Sequence, residues 1–203
     1  MEKTAQFADI VADIKAHQCS LSATCIQAVP GEGNIESPVV FIGEAPGKKE
    51  DEQGHPFIGA AGQLLAEALD TIGWTRDDVY ITNVVKCRPP GNRDPEPAEV
   101  AEHQDFLRRE LELIQPKIIV LLGRHALHWF IPDAQISKVR GTAKRLKGQV
   151  YYPTYHPAAA LYNGSLRETF ITDIQKIPLI IKKLAEESQA TISTTSVTQD
   201  KLL

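Results

Sequence analysis

The chain has 203 residues and a formal net charge of -4, with ordinary apolar and charged fractions of 42% and 24%. That length suits one compact domain, and the charge gives no global sign of a nucleic-acid partner, so such a case has to rest on local charge. No apolar run approaches the ~20 residues of a membrane span, and the N-terminus lacks a signal peptide's basic region and apolar core. Three cysteines argue against a disulfide scaffold and for a reducing, intracellular setting.

Phe7, Ile10, Val11 and Ile14 recur at helical spacing and predict an amphipathic helix over 4–18. Cys19 and Cys25 follow in an irregular segment that runs to Gly33. Val39, Val40, Phe41 and Ile42 form an unbroken apolar run, a buried strand that breaks at Gly43, Pro46 and Gly47. Glu44, Glu50, Asp51 and Glu52 crowd the loop beyond it. A helix begins near Ala60 and covers 63–72, with Leu64, Leu65, Ala68 and Leu69 inward and Gly73 as its stop. Residues 79–86 alternate like a strand, and CRPPGNRDPEP is too rich in Pro and Gly for a regular element. A long helix follows over 98–114, a buried strand over 117–122 closed by Gly123, and a short helix over 126–131. A last strand over 150–154 ends on Tyr155-His156-Pro157, and a closing helix over 167–184 carries a kink at Pro178. From Ala185 the chain is Ser, Thr and Gln with little to bury, so the expected organisation is one domain over 1–184 and a disordered tail over 185–203.

Strands alternating with helices mean an α/β fold whose parallel sheet is covered on both faces. Glu44, Asn83, Asn92 and His156 all fall at or just past the carboxyl ends of predicted strands, which share one edge of such a sheet and form its usual ligand crevice. Glu44 directly follows a buried strand and is flanked by glycines, which favours a functional role over a merely solvated one; Asp51 and Glu52 read as surface charge. Gly43-x-x-Pro-Gly lacks the endings of a P-loop or a dinucleotide turn. Asn83 is either a surface turn or an amide that presents a donor and an acceptor to a nucleobase edge. Pro157 fixes the turn after His156 and positions its imidazole. Lys138, Arg140, Lys144, Arg145 and Lys147 form a basic stretch with no Asp or Glu between Asp133 and Glu168, the pattern of a phosphate-backbone footprint.

Three motifs in order, GEAPGKKEDEQGHPFIGAAGQLL, YITNVVKCRPPGNR and YHPAAAL, resemble the family 4 uracil-DNA glycosylases over roughly residues 10–184. The resemblance implies a three-layer α/β/α sandwich around a four-stranded parallel sheet. It also implies flipping of uracil out of DNA and hydrolysis of its N-glycosidic bond, leaving an abasic site at the start of base excision repair. By motif, Phe57 stacks on the flipped base, Asn83 reads its Watson–Crick edge, and His156 hydrogen-bonds uracil O2. Glu44, Glu50 and Asn92 hold the water and its loops, and Ala45 and Gly47 line the substrate. In family 1 enzymes an Asp stands where this chain has Ala45, so the carboxylate has to come from a neighbour, the nearest being Glu44. Gly59, Lys138, Arg140, Lys144 and Arg145 would contact DNA. The wedge leucine expected four residues after His156 is Ala160, so Leu161 or Tyr162 would fill the gap, with Leu161 taken as the contact.

The family's iron–sulfur cluster sits on four cysteines. Two of those positions hold Cys19 and Cys87, but the others hold Ala16, beside His17, and His103, while Cys25 matches none. Two outcomes are open: the cluster is lost, or His17 and His103 join Cys19 and Cys87 around a cluster or a zinc ion. An inactive DNA-binding relative and a metal- or cluster-dependent sensor are the alternatives to an enzyme. Gln199 to Leu203 resembles the Gln-x-x-Leu-Leu peptides that hold bacterial sliding clamps. The remaining expectations are a monomer, no membrane partner, and a cytoplasmic, nucleoid-associated location.

Overall fold

The computed structural model describes residues 2–199. Helix α1 (Lys3–Ala16) leads to a short strand β1 (Glu32–Gly33), then β2 (Val39–Gly43), α2 (Lys48–Gln53), α3 (Ala60–Asp70) and β3 (Tyr80–Asn83). There follow α4 (Pro97–Ile114), β4 (Ile118–Leu122), α5 (Gly123–Phe130), α6 (Ile136–Val139), β5 (Lys144–Leu146) and β6 (Gln149–Thr154). The chain closes with α7 (Pro157–Ala160), α8 (Gly164–Gln175) and α9 (Ile177–Gln199).

The strands form one sheet in the order β1-β3-β2-β4-β6-β5. The inner four, β3-β2-β4-β6, are mutually parallel, in agreement with the expected architecture. Side chains alternate across the pleat. Val40, Ile42, Ile119 and Leu121 meet Ile10, Ile14, Phe106 and Leu107 of α1 and α4 on one face. Val39, Phe41, Ile118 and Val120 meet Leu64, Leu65 and Leu69 of α3, with Phe170 and Ile174 of α8, on the other. Each inner strand is therefore apolar along its whole length, which is why the sequence runs are continuous rather than alternating.

Several boundaries differ from the sequence reading. The sheet has six strands, because β1 and β5 add antiparallel edges to the parallel four. The basic stretch, expected as an open footprint, forms β5 and turns at Lys147 and Gly148, both at positive φ (47° and 86°), in a hairpin that suits their local twist. Charged edge strands of this kind also discourage sheet-to-sheet association. The strand expected over 79–86 stops at Asn83, where its neighbour β2 stops; Val84 and Val85 instead donate to the carbonyls of Gly43 and Glu44. The acidic loop at 48–53 is a helix, built from good helix formers and closed by Gly54 at φ 79°. The closing helix is two, with Pro178 in the first turn of α9, where a missing N–H costs nothing. Helix α9 also passes Leu184, where composition places the end of the domain, and reaches Gln199. Of the clamp-like motif, Asp200 to Leu203 lie outside the described residues. No helix among the described residues is long and apolar enough to cross a membrane.

One buried ion pair stitches sheet to helix. Lys86 is fully buried, and its ammonium donates to Glu110 Oε2 at 2.6 Å, Thr82 Oγ1 at 2.7 Å and the Asn83 carbonyl at 2.9 Å. Glu110, on α4, also accepts from the Tyr80 hydroxyl at 3.0 Å and the Gly31 amide at 3.2 Å. Burial pulls the Lys86 pKa down while Glu110 holds it up. Removing one partner strands the other charge in the core. Lys86→Met is therefore expected to cost about 3–5 kcal/mol in urea denaturation, and adding Glu110→Leu to recover much of it. A double variant no more stable than the single would show that the pair itself, not the stranded charge, carries the stability.

Candidate active site

The carboxyl ends of β2, β3 and β6 open on a cavity of about 280 Å³, lined among others by Glu44, Ala45, Gly47, Glu50, Phe57, Asn83, Asn92 and His156. The structure thus brings together every residue placed by sequence in the catalytic and base-reading sets. Gly43 lets this floor pack closely: a Cβ there would stand 2.4 Å from Asn83 Oδ1 and 2.5 Å from the Phe57 ring. Phe57 is buried at φ 53°, a strained setting for an aromatic residue. It is held by Arg76, which donates to the carbonyls of Pro56 and Phe57 at 2.6 and 2.7 Å. Gly62 admits that backbone, since a Cβ there would meet the Phe57 carbonyl oxygen at 1.6 Å. The Phe57 ring lies 5.8 Å from the His156 ring at 34°, so the two form a tilted pair beside the cavity.

Asn83 is 2% exposed, and its Oδ1 has no hydrogen-bond partner. An acceptor buried without a donor costs roughly 1–3 kcal/mol. His156 Nδ1 accepts from the Ala158 amide at 3.2 Å, so in the neutral ring the proton sits on Nε2. Burial, reinforced by His125, pulls its pKa down to about 4, which keeps the imidazole neutral and a donor at Nε2. Glu44 behaves oppositely. Burial, with repulsion from Asp94 and against the pull of Arg124, lifts its pKa to about 7.

Glu50 is buried, and its Oε1 accepts from the amides of Ile58 and Gly59 at 3.0 and 2.8 Å. It therefore clamps the Phe57 loop and the start of α3, and the Gly59 amide is spent on it rather than open to phosphate. Asn92, at φ 57°, accepts from Arg88 Nε at 2.7 Å. Asp51, expected on the surface, is 1% exposed and accepts from the Ile26 amide at 2.8 Å, tying the α2 turn to the cysteine segment.

Sequence reasoning missed a cluster on the rim. His125 Nε2 lies 2.8 Å from Arg124 Nε, 3.2 Å from Asp94 Oδ1 and 3.8 Å from Glu44 Oε2. The signal was present: His125 follows the end of β4, as Glu44 follows β2.

The expected DNA contacts divide. Arg140 pairs with buried Asp173 at 3.0 Å and lies over the Tyr155 ring at 5.4 Å, so it braces the His156 loop. Arg145 pairs with Glu187 at 2.6 Å. The register sets Arg145 opposite Val150 and Leu146 opposite Gln149, so Arg145 and Lys147 stand at the start of β6, away from the His156 end. Topology sets them apart from the base cavity: an antiparallel hairpin carries the stretch to the edge of the sheet. Lys144 stands opposite Tyr151 in the same hairpin, and Lys138 lies on α6 before it. Leu161, expected as the wedge, is partly buried and packs against the core, where Ala160 is fully buried. Tyr162 is 96% exposed and projects from the end of α7.

A second cluster lies across the sheet, where α1 meets α4. His17, Cys19 and His103 each offer one donor atom within 4.8 Å of the others, and Cys87 lies in the core cluster against which Cys19 and Cys25 pack. The chain has three cysteines, so it lacks the four-thiolate set of the family's iron–sulfur cluster, and the donors present do not fit an all-cysteine cluster.

A family model described as "Uracil DNA glycosylase superfamily" matches residues 30–176. The chain is similar to the Type-4 uracil-DNA glycosylase of Archaeoglobus fulgidus, 48% identical over 181 residues covering 83% of this chain and 90% of that one. It is also similar to those of Sulfurisphaera tokodaii, 46% identical over 81% of this chain and 79% of the other, and Thermotoga maritima, 46% identical over 83% and 91%. On these matches the chain belongs to the uracil-DNA glycosylase superfamily.

Proposed function

We propose that the chain flips uracil out of DNA and hydrolyses the bond between uracil N1 and deoxyribose C1′. The relatives are named uracil-DNA glycosylases. The observation that carries the reading for this chain is the unpartnered, buried Oδ1 of Asn83 in a cavity shared with Phe57, Glu44 and a neutral His156. Uracil N3–H donates to that oxygen and uracil O4 accepts from the amide nitrogen; cytosine inverts both roles and leaves buried polar groups unpaired. Phe57 offers the stacking face. As the N1–C1′ bond breaks, negative charge grows on uracil and positive charge on the sugar. His156 Nε2–H stabilises the first at O2, and the Glu44 carboxylate stabilises the second. Water then adds its oxygen to C1′, giving one proton to Glu44 and leaving an abasic site, while the uracil anion is protonated on release. A single chain supplies every group of this site, which supports action as a monomer on DNA.

The test is release of free uracil from a single-turnover reaction on a uracil-containing oligonucleotide, with a cytosine-containing one as control. Release from the first alone is expected, and no release from either would leave a DNA-binding relative. Glu44 acts as a base only when ionised, so the rate should rise with pH and level off above about 7. His156 is already neutral well below that, its pKa lying at about 4, and adds no second limb there. Glu44→Gln should lose ~10²-fold or more in rate and flatten the profile, with affinity for the DNA nearly unchanged. A rate that falls through neutrality as pH rises would contradict the base role. The raised pKa also means that the folded state holds the Glu44 proton more tightly than the unfolded chain. Stability is therefore lost as pH climbs from the ordinary carboxyl range through about 7, and Glu44→Gln should be the more stable protein above it.

Tyr162 is proposed to occupy the space that the flipped base vacates, since it is the exposed aromatic just beyond the His156 turn. Tyr162→Ala should slow excision from duplex DNA and leave single-stranded substrate nearly unaffected, because only the duplex has a stack to hold open. Equal rates on both substrates before and after substitution would remove it from the wedge role. Lys138 and Lys144 are proposed to position phosphates without reading sequence.

The Gln199–Leu203 segment is proposed as a sliding-clamp ligand, with its glutamine amide and paired leucines suiting a small groove. Calorimetric titration of a bacterial clamp should give heat with the full chain and none with a form ending at Ala190. Equal heats from both forms would place any contact elsewhere.

A further inference from the structure

We infer that the knot between α1 and α4 is a mononuclear zinc site formed by His17, Cys19, His103 and Cys87. The first three present their donor atoms within 4.8 Å of one another. Both imidazole Nε2 atoms are buried and have no hydrogen-bond partner, and His103 is fully buried. An imidazole nitrogen in that condition costs stability unless something binds it. The tautomer is set for binding: His103 Nδ1 lies 2.7 Å from the Glu99 carbonyl of its own helix and donates to it, leaving the Nε2 lone pair bare. This is the outer-shell contact that orients a ligating histidine. Ser22 performs a matching service at Cys19, donating to Sγ at 3.6 Å and accepting from the Cys19 amide at 2.8 Å. Ser20 anchors the same turn to α4 through Glu102 at 2.9 Å.

The fourth donor is Cys87, 1% exposed, in the core cluster against which Cys19 packs at the edge of the trio. Two imidazoles and two thiolates in a tetrahedron select zinc or an iron–sulfur group, and spacing separates the two. One ion with bonds of ~2.3 Å to sulfur and ~2.0–2.1 Å to nitrogen gathers its donors to roughly 3.5 Å of each other. A cluster that sets each ligand on its own iron inserts a metal–metal edge between donors and needs them farther apart. The trio within 4.8 Å is built at the scale of one ion. His17 and Cys19 are only partly buried, which leaves an entry path. Held there, the ion would fasten α1 to α4 and to the segment that continues from Cys87 to Asn92 on the wall of the base cavity.

The experiment reads metal, not excision, so it stands apart from the proposed activity. The full chain, purified under reducing, chelator-free conditions, is assayed for zinc, iron and acid-labile sulfide. The stripped protein is then titrated with Co²⁺ and with Zn²⁺ against a chromophoric chelator. About one zinc per chain without labile sulfide is expected. The cobalt form should show thiolate charge-transfer absorption and intense visible bands of a tetrahedral ion, both erased by zinc. His103→Ala and Cys87→Ala should each weaken binding by more than the ~10–100-fold typical of losing an outer-shell partner, with folding checked by circular dichroism, and Cys25→Ala should retain it. Iron with labile sulfide, or no ion bound by the wild-type chain in either titration, would overturn the site. Loss in Cys25→Ala as deep as in Cys87→Ala would overturn the assigned donor set.

Discussion

The buried pair of Lys86 and Glu110 is the interaction on which the site's geometry depends. Glu110 comes from α4 and Lys86 from the segment just past β3, so the pair fixes the helix layer against the sheet. Lys86 also donates to the carbonyl of Asn83, the residue whose side chain lines the base cavity. A charge buried at this depth is poor value as stabilisation alone, since a packed apolar pair of the same volume is often as good. What it adds is position. Tyr80, Thr82 and Gly31 converge on the same carboxylate, so β3 cannot slide without breaking several charge-assisted bonds at once.

With the floor fixed, the walls need opposite electrostatics around one cavity. Glu44 and His156 both lose water, and the loss acts on each in the direction its charge dictates. It raises the carboxyl to about 7 and lowers the imidazole to about 4. The order of the two values matters more than either one. An imidazole that titrated above the carboxyl would be cationic and would neutralise its neighbour before any substrate arrived. With the order as it stands, a neutral donor and an ionisable base coexist at neutral pH, the separation of roles that paired acid–base sites require. Asp94 and Arg124 act on Glu44 from the rim with opposite signs, so the surface cluster trims what burial sets.

Much of this was legible in the residues because parallel sheets make it so. Continuous apolar runs at 39–42 and 118–122 leave no ambiguity about buried strands, and the rule that ligands gather at strand carboxyl ends found Glu44, Asn83 and His156 together. The misses have physical causes. Val84 and Val85 are β-branched like strand residues, yet the ladder ends with β2 and pairing rather than propensity decides the boundary. The basic stretch looked like one surface because sequence cannot show a hairpin reversing its direction; Arg140 and Arg145 meet Asp173 and Glu187, acids 33 and 42 residues away. Asp51 reads as solvated in the sequence because its hydrogen-bond donors are the amides of Ile26 and Gln27, which carry no side-chain signal, and Arg88 lies 37 residues away at 3.9 Å. Leu161 and Tyr162 are alternatives by the family motif, and the sequence cannot show that Leu161 packs on the core while Tyr162 stands outside.

Among the described residues, the buried side-chain polar atoms without a partner are Asn83 Oδ1 and the Nε2 atoms of His17 and His103. They do not scatter. One lies at the base cavity and two lie at the knot behind it. Native interiors leave few such groups, because each forfeits roughly 1–3 kcal/mol of solvation. A chain that folds with all three in place must recover that energy elsewhere or from a ligand, and the ligand that suits each follows from its chemistry. A carbonyl oxygen asks for an N–H donor, and two bare imidazole nitrogens beside a thiol ask for a soft or borderline cation. The two sites also share a strand end and its continuation, since Asn83 and Cys87 are four residues apart on either side of Lys86. Binding at the knot and reading at the cavity thus depend on the same short segment being held still.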